Sequence, residues 1–329
     1  MDRAICRLAA RTYLIMHSNT AIGIDFGGTS IKSAVVREGK IVQRGQVIDT
    51  LKHDARTLMD ALFEVIEELR AGTSGVAGVG VGLPGFVDSV NGVVHHLTNV
   101  EGWEEVPLAR LLTERTGLPA IVENDVKAMT YGEWKHGAAR GVQHAVCITL
   151  GTGVGGGLIL GGRLHRGAQL AAGEIGHASI DYRGKPGPYG NFGGLEEYVG
   201  NRQIAERAME LYAAAGAAKT FEQCDPRNLE KAARTGDGVA KGLWDAIGDE
   251  IGAALANVVW TVNPDVIVIG GGVAKAGDVL FEPIRRSVCS RTVKLFHEHL
   301  RIIPAELGND AGAIGNAALV LDSLGTSGT

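Results

Sequence analysis

The sequence predicts an α/β protein of two domains laid out on a duplicated plan, and three observations carry that reading. At 329 residues the chain outgrows one hydrophobic core, since chains split into domains beyond about 250–300 residues. Apolar runs of strand length alternate with amphipathic stretches of helical length, the order of α/β folds. A strand–glycine turn–strand device occurs at Gly27-Gly28-Thr29 and again at Gly151-Thr152-Gly153, and such self-similarity marks a repeated unit.

Residues 1–20 read as an extension ahead of the first strand. Arg3, Arg7 and Arg11 alternate with apolar residues there, but a targeting peptide would need a long apolar core and a small-residue cleavage site. Ala21–Asp25 is the first strand, and Ile31–Val36 completes a hairpin across the glycine turn. Leu58, Leu62 and Ile66 recur at helical spacing within a helix over 54–68, and Leu69 just beyond it continues the pattern. Val76–Leu83 is a buried strand stopped by Pro84-Gly85. Another strand ends at Ile121-Val122, and Glu123-Asn124-Asp125 leads into a helix through Trp134. The second hairpin joins Ala145–Leu150 to Leu158–Leu160. A long helix carrying Leu243, Ile247, Ile251, Leu255, Val258 and Val262 is halted by Asn263-Pro264, because a residue before proline leaves the helical region. Val266–Ile269 is a wholly apolar strand opening onto Gly270-Gly271-Gly272, and a last helix spans about 311–324. The expected domains are 20–123 together with 311–329, and 124–310.

Composition excludes several classes. Hydrophobic residues make up 45% and charged residues 21%, a globular balance. A net charge of −5 gives no basic stripe for nucleic acid. No apolar run reaches the ~20 residues that cross a bilayer. Cys6, Cys147, Cys224 and Cys289 form no CxxC pair, so a reducing cytoplasm fits and no disulfide framework is implied. Glycine, at 48 residues, is about twice the typical ~7% share and falls in clusters, where backbone can approach a ligand closely.

A GxxxxGK[ST] P-loop is absent. Gly151-x-Gly153-x-x-Gly156 matches the dinucleotide fingerprint, yet that motif must open a helix, and here a strand and another turn follow. Nicotinamide binding is therefore disfavoured. Asp25-Phe26-Gly27-Gly28-Thr29 with Lys32 is more telling, joining a carboxylate, bare amides and a hydroxyl in one turn. Amides and hydroxyl donate to phosphate, and the carboxylate can hold Mg²⁺ directly or through water. Thr152 in the second turn supplies opposing donors.

With these residues in view, the chain resembles the ROK family of repressors, open reading frames and sugar kinases, from about residue 21 to 320. The ordered set is Asp25-x-Gly27-Gly28-Thr29, Gly82-x-Pro84-Gly85, Asn99 with Trp103, Glu123-Asn124-Asp125, Gly151-Thr152-Gly153, Gly173-Glu174-Ile175-Gly176-His177, Leu195-Glu196, Asn263-Pro264 and Gly270-Gly271-Gly272. The resemblance implies the duplicated actin-like, ribonuclease-H-like ATPase fold, with two domains flanking a cleft that closes on substrate. It implies ATP with Mg²⁺ as phosphoryl donor, glucose phosphorylated at its 6-hydroxyl, and a homodimer. It makes Asp125 the catalytic base, a role compatible with the simpler reading of an aspartate as helix N-cap. Gly85, Asn99, Asn124, Glu174, His177 and Glu196 become sugar ligands. Asp25, Gly27, Gly28, Thr29, Lys32, Gly151, Thr152 and Gly153 hold the nucleotide phosphates, Asp25 also holding magnesium, and Gly270, Gly271 and Gly272 form the adenosine loop. Glu197 reads as merely solvated.

The family's structural zinc is bound by a histidine and three cysteines. Aligned on Leu195-Glu196, the cysteine positions are Gly187, Tyr189 and Gly194. One imidazole does not make a zinc site, so no structural zinc is expected, with Pro186, Pro188, Tyr189 and Phe192 packing in its place. His177 is then left to hydrogen-bond the sugar or to orient Glu174. An N-acetylhexosamine or fructose kinase, a polyphosphate-dependent kinase, a sugar-responsive repressor and an actin-like assembly ATPase stand as alternatives. Family repressors carry an N-terminal winged helix, for which 1–20 is too short, and assembly ATPases lack the Asn124-Asp125 and Glu174/His177 set.

Overall fold

The computed structural model describes residues 19–97 and 100–326, which divide into two compact units. The first comprises the described residues through Arg140, Arg166–Ala171 and the segment from Asn309; the second comprises Gly141–His165 and Ala172–Gly308. The expected extension lies outside the described residues up to residue 18, and Thr20, assigned to it, opens the first strand instead, paired with Arg37. The Ser/Gly/Thr tail from 327 also lies outside them.

The first unit runs β1 (Thr20–Phe26), β2 (Ser30–Arg37), β3 (Lys40–Arg44), β4 (Ile48–Asp49), α1 (Ala55–Gly72), β5 (Val79–Leu83), β6 (Val87–Asp88), β7 (Val93–His96), β8 (Glu104–Val106), α2 (Leu108–Thr116), β9 (Ala120–Asn124) and α3 (Asp125–His136). Its main sheet has the order β3-β2-β1-β5-β9, with β4 pairing β2. β1, β2 and β3 are antiparallel neighbours, while β1, β5 and β9 run parallel. Parallel strands are covered on both faces, so they read as continuous apolar runs; β5 is buried at every residue. Asp54 caps α1 through a reciprocal bond pair with Thr57, a capping box that fixes the helix start. Leu58, Leu62, Val65, Ile66 and Leu69 of α1 are buried, which includes every residue expected from the spacing.

The second unit contains β10 (Ala145–Leu150), β11 (Val154–Leu160), β12 (Arg163–His165), α4 (Glu196–Val199), α5 (Asn201–Ala214), α6 (Pro226–Arg234), α7 (Gly238–Val262), β13 (Val266–Gly270), α8 (Asp278–Arg291), α9 (Lys294–His297) and β14 (Arg301–Pro304). Its sheet order is β12-β11-β10-β13-β14, antiparallel then parallel. This repeats the five-strand order of the first sheet, β4 having no counterpart, so the duplication read from two glycine turns extends to the sheets. Asn263 ends α7 in the left-handed region at φ 49°, a conformation that asparagine tolerates better than most residues.

The last helix, α10 (Ala311–Thr326), returns to the first unit. It lies so close to the sheet that a Cβ on Gly23 of β1 would overlap the Ala313 carbonyl, and one on Gly80 of β5 the Asn316 carbonyl. Buried Asn316 donates from Nδ2 to the Ile24 carbonyl at 2.8 Å. The same closeness governs α3, where a Cβ on Gly315 would overlap the Ala128 carbonyl. The division expected after residue 123 falls ahead of α3, whereas the first unit continues through Arg140, because α3 is bound along α10 and stays with that unit.

Candidate active site

The first glycine turn is closed by the Gly27 amide donating to the Ser30 carbonyl at 2.9 Å. It is braced from outside by Thr50, whose Oγ1 donates to the Gly28 carbonyl at 3.1 Å and whose amide donates to the Thr29 carbonyl at 3.2 Å. Gly28 and Thr29 are exposed, and Asp25 is half-buried beneath them. A Cβ on Gly312, in the first turn of α10, would come 2.7 Å from the Asp25 carboxyl carbon. Burial raises the Asp25 carboxyl above its ordinary range, with Lys32 pulling the other way. Lys32 stands directly across the hairpin in register with Asp25, its side chain exposed.

Asp125 is half-buried as the first helical residue of α3. The N-cap expected of it is made by its neighbour: Asn124 Oδ1 accepts the amides of Val126 and Lys127 at 3.1 Å each. Asp125 Oδ1 accepts the Val126 amide at 2.8 Å. Asn124 Nδ2 donates to the carbonyl of Gly85 at 3.2 Å, which brings Gly85, at φ 80°, and Asn124 together. Glu123, named in the motif but given no role, and Arg166, outside every motif, complete this corner. Glu123 is 2% exposed; its Oε1 accepts the Asn124 amide at 2.9 Å, and its Oε2 accepts Arg166 Nε at 2.7 Å. Its place beside Asn124-Asp125 was the available signal; Arg166, forty-three positions away, gave none. Asn99 lies outside the described residues.

The second turn belongs to the other unit. Gly151 N donates to the Gly153 carbonyl at 3.0 Å, and the Asn201 amide, at the head of α5, donates to the Gly151 carbonyl at 2.8 Å. Thr152 is exposed. Glu196, expected as a sugar ligand, accepts the Val154 amide on Oε2 at 2.7 Å, which places its carboxylate against this turn. Gly271, at φ 90°, packs on the Leu150 carbonyl, while Gly272 faces open space. The loop from Gly270 to Gly272 thus adjoins the strand that enters the second turn. Gly173–His177 lies flat on β11, because a Cβ on Gly176 would overlap the Val154 carbonyl.

His177 meets Tyr189 edge-on, ring centres 5.0 Å apart, and its carbonyl accepts Asn191 Nδ2 at 2.9 Å. The loop that follows is held differently from expectation. Tyr189 and Phe192 are 68% and 52% exposed, too open to form a packed substitute for metal. Backbone bonds hold it instead: Gly193 N to Lys185 O at 2.7 Å, Gly187 N to Asn191 O at 2.8 Å and Ile180 N to Gly193 O at 2.8 Å. The Tyr198 hydroxyl also accepts the Lys185 amide at 3.0 Å. A glycine-rich loop can turn tightly enough to satisfy its own backbone.

Two α/β units of one sheet order, each with a glycine–threonine hairpin on its first strand pair, have the architecture of the actin-like ATPases. The ROK family model matches residues 21–323, and the chain belongs to that family. The glucokinase of Thermotoga maritima is 33% identical over 92% of this chain and 98% of its own length. A putative xylose repressor from a Caldicellulosiruptor species is 30% identical over 92% of this chain and 78% of its own length. A crystal structure of a ROK family glucokinase from Streptomyces griseus, in complex with glucose and AMPPNP, matches with a TM-score of 0.76 at 32% identity, covering 91% of this chain and 98% of that one.

Proposed function

We propose that the chain is an ATP-dependent hexose kinase that converts glucose to glucose 6-phosphate. The observation that carries this reading is Asp125: α3 already has its cap in Asn124, so a half-buried aspartate at its head is not required to end the helix. Likeness to glucokinases, one of them bound to glucose and an ATP analogue, supports the same reading.

Asp125 takes the proton of the sugar 6-hydroxyl as that oxygen attacks the γ-phosphorus. The bond from the γ-phosphorus to the β–γ bridging oxygen breaks, and ADP leaves with the electron pair. Such general-base help is typically worth about 10²–10⁴ in rate. Amides and hydroxyls of the turns at Gly27-Gly28-Thr29 and Gly151-Thr152-Gly153 steady the phosphate charge. Asp25 fits a divalent cation: its carboxyl is disfavoured as an anion by burial, and a cation beside it reverses that cost. Bound there, magnesium neutralises charge on the transferred phosphoryl group. Asn124, Gly85, Glu174, His177 and Glu196 position the hexose, with Asn99 assigned by motif alone. Gly270, Gly271 and Gly272 take the adenosine, and Lys32 offsets the charge at Asp25.

The reading includes a cytoplasmic homodimer, in keeping with free thiols at Cys147, Cys224 and Cys289. Among the described residues, no helix is long and apolar enough to cross a membrane. Likeness to a xylose repressor supports a second reading, a sugar sensor without turnover. ADP release measured across glucose, mannose, fructose and N-acetylhexosamines separates the two. Glucose-dependent turnover that drops about 10²–10⁴-fold in Asp125→Asn, with sugar binding retained, is expected. Sugar binding without ADP release in the wild-type protein refutes the kinase.

A further inference from the structure

The carboxylate of Glu196 and the second glycine turn interlock. Glu196 opens α4, and its Oε2 accepts the Val154 amide at 2.7 Å, the first amide after the turn. Five residues on, the Asn201 amide grips the Gly151 carbonyl at the turn's other end. One short segment thus clamps both ends of Gly151-Thr152-Gly153. Gly153 bears the imprint of that clamp, because a Cβ there would run into the Glu196 carboxylate. A methyl at Gly153 would push that carboxylate aside, so the glycine leaves room for the bond from Glu196 to Val154. A carboxylate beside a phosphate turn repels the ligand, so its placement needs a compensating duty, and fixing the turn's backbone supplies one.

We infer that Glu196 is a positioning residue for the phosphate-binding backbone of the second turn, besides any bond it makes to sugar; this rests on reading that turn as a nucleotide site. A group that only touches sugar would leave nucleotide binding in the absence of sugar unmoved. A group that sets the turn controls it.

The test is calorimetric titration of MgADP into sugar-free protein, paired with amide hydrogen exchange at Val154. Glu196→Ala is expected to weaken MgADP about ten-fold or more, the share of a charge-assisted hydrogen bond, and to expose the Val154 amide to exchange. Glu196→Gln keeps an acceptor at the same reach, and MgADP affinity is expected to stay within about three-fold of wild type on that account. Gly153→Ala should match Glu196→Ala, and the double variant should be no worse than either alone, because both disrupt one contact. Unchanged MgADP affinity and Val154 protection in Glu196→Ala would falsify the positioning role while leaving the kinase reading intact. Wild-type protein that binds no MgADP removes the kinase reading instead, and Val154 exchange still decides whether Glu196 holds the turn.

Discussion

Replacing Arg166 with alanine tests how the catalytic corner is held. The pair it breaks is lopsided: Glu123 is 2% exposed, whereas the Arg166 side chain is 34% exposed. Loss of the guanidinium leaves a buried carboxylate with the Asn124 amide as its remaining bond among those described. Breaking a buried pair in this way typically costs about 3–5 kcal/mol. Water can enter where the half-exposed arginine stood, which lowers the expected cost to roughly 2–3 kcal/mol. At about 2–4 °C per kcal/mol for a domain of this size, the melting temperature should fall by roughly 4–12 °C. Because Glu123 also takes the amide of Asn124, the start of α3 should loosen and carry Asp125 with it, so turnover should fall while nucleotide affinity holds. Differential scanning calorimetry reads the first effect, ADP release the second, and Arg166→Lys should recover part of both. A variant that melts within about 1 °C of wild type, against an expected loss of this size, and turns over normally would show that the pair positions nothing.

Asp25→Asn should separate stability from function. Burial raises the folded-state carboxyl above its unfolded value of about 3.9, so the folded protein releases this proton later than the unfolded chain. Its contribution is fully present below the unfolded value and is lost as pH rises through the folded one. At pH 7–8 the ligand-free Asp25→Asn protein should therefore melt higher than wild type, with the gap closing towards acid, yet lose magnesium-dependent turnover; a lower melting point at pH 8 would contradict the burial argument. Gly80→Ala forces a methyl into the Asn316 carbonyl, where no rotamer can yield. A cost at or above the ~3 kcal/mol upper range of overpacking is expected, read as a lowered urea midpoint of the first unit, and an unchanged midpoint would mean that α10 slides freely on the sheet.

The parts of the fold legible in the sequence were those with local signatures. β1, β10 and β13 are short apolar runs delimited by glycine, and α1 and α7 repeat apolar residues at helical spacing. Edge strands escaped notice because they are half polar: β3 alternates exposed and half-buried residues, and β12 is Arg-Leu-His with both ends exposed. The small sheet β6-β7-β8 is built from runs too brief to show a period. Among the candidate site residues, the turns and the Asn124-Asp125 corner could be read from adjacent residues. The partners of Glu123 and Glu196 could not, since Arg166 and Val154 lie 43 and 42 positions away and nothing local announces either bond. Tyr189 and Phe192 misled for a related reason: aromatic character signals burial on average, but in this loop the backbone satisfies itself and leaves both rings outside.

The bond from Asn316 to Ile24 joins residues 292 positions apart, and that has a consequence during synthesis. A ribosome adding about 5–20 residues per second makes the first strand wait roughly 15–60 seconds for the helix that covers it. Every residue of the second unit has emerged by then, so the later-encoded half of the protein can be finished first. Through that interval the nascent chain carries an apolar sheet with one face bare, and this is the stage at which a chaperone would have its target.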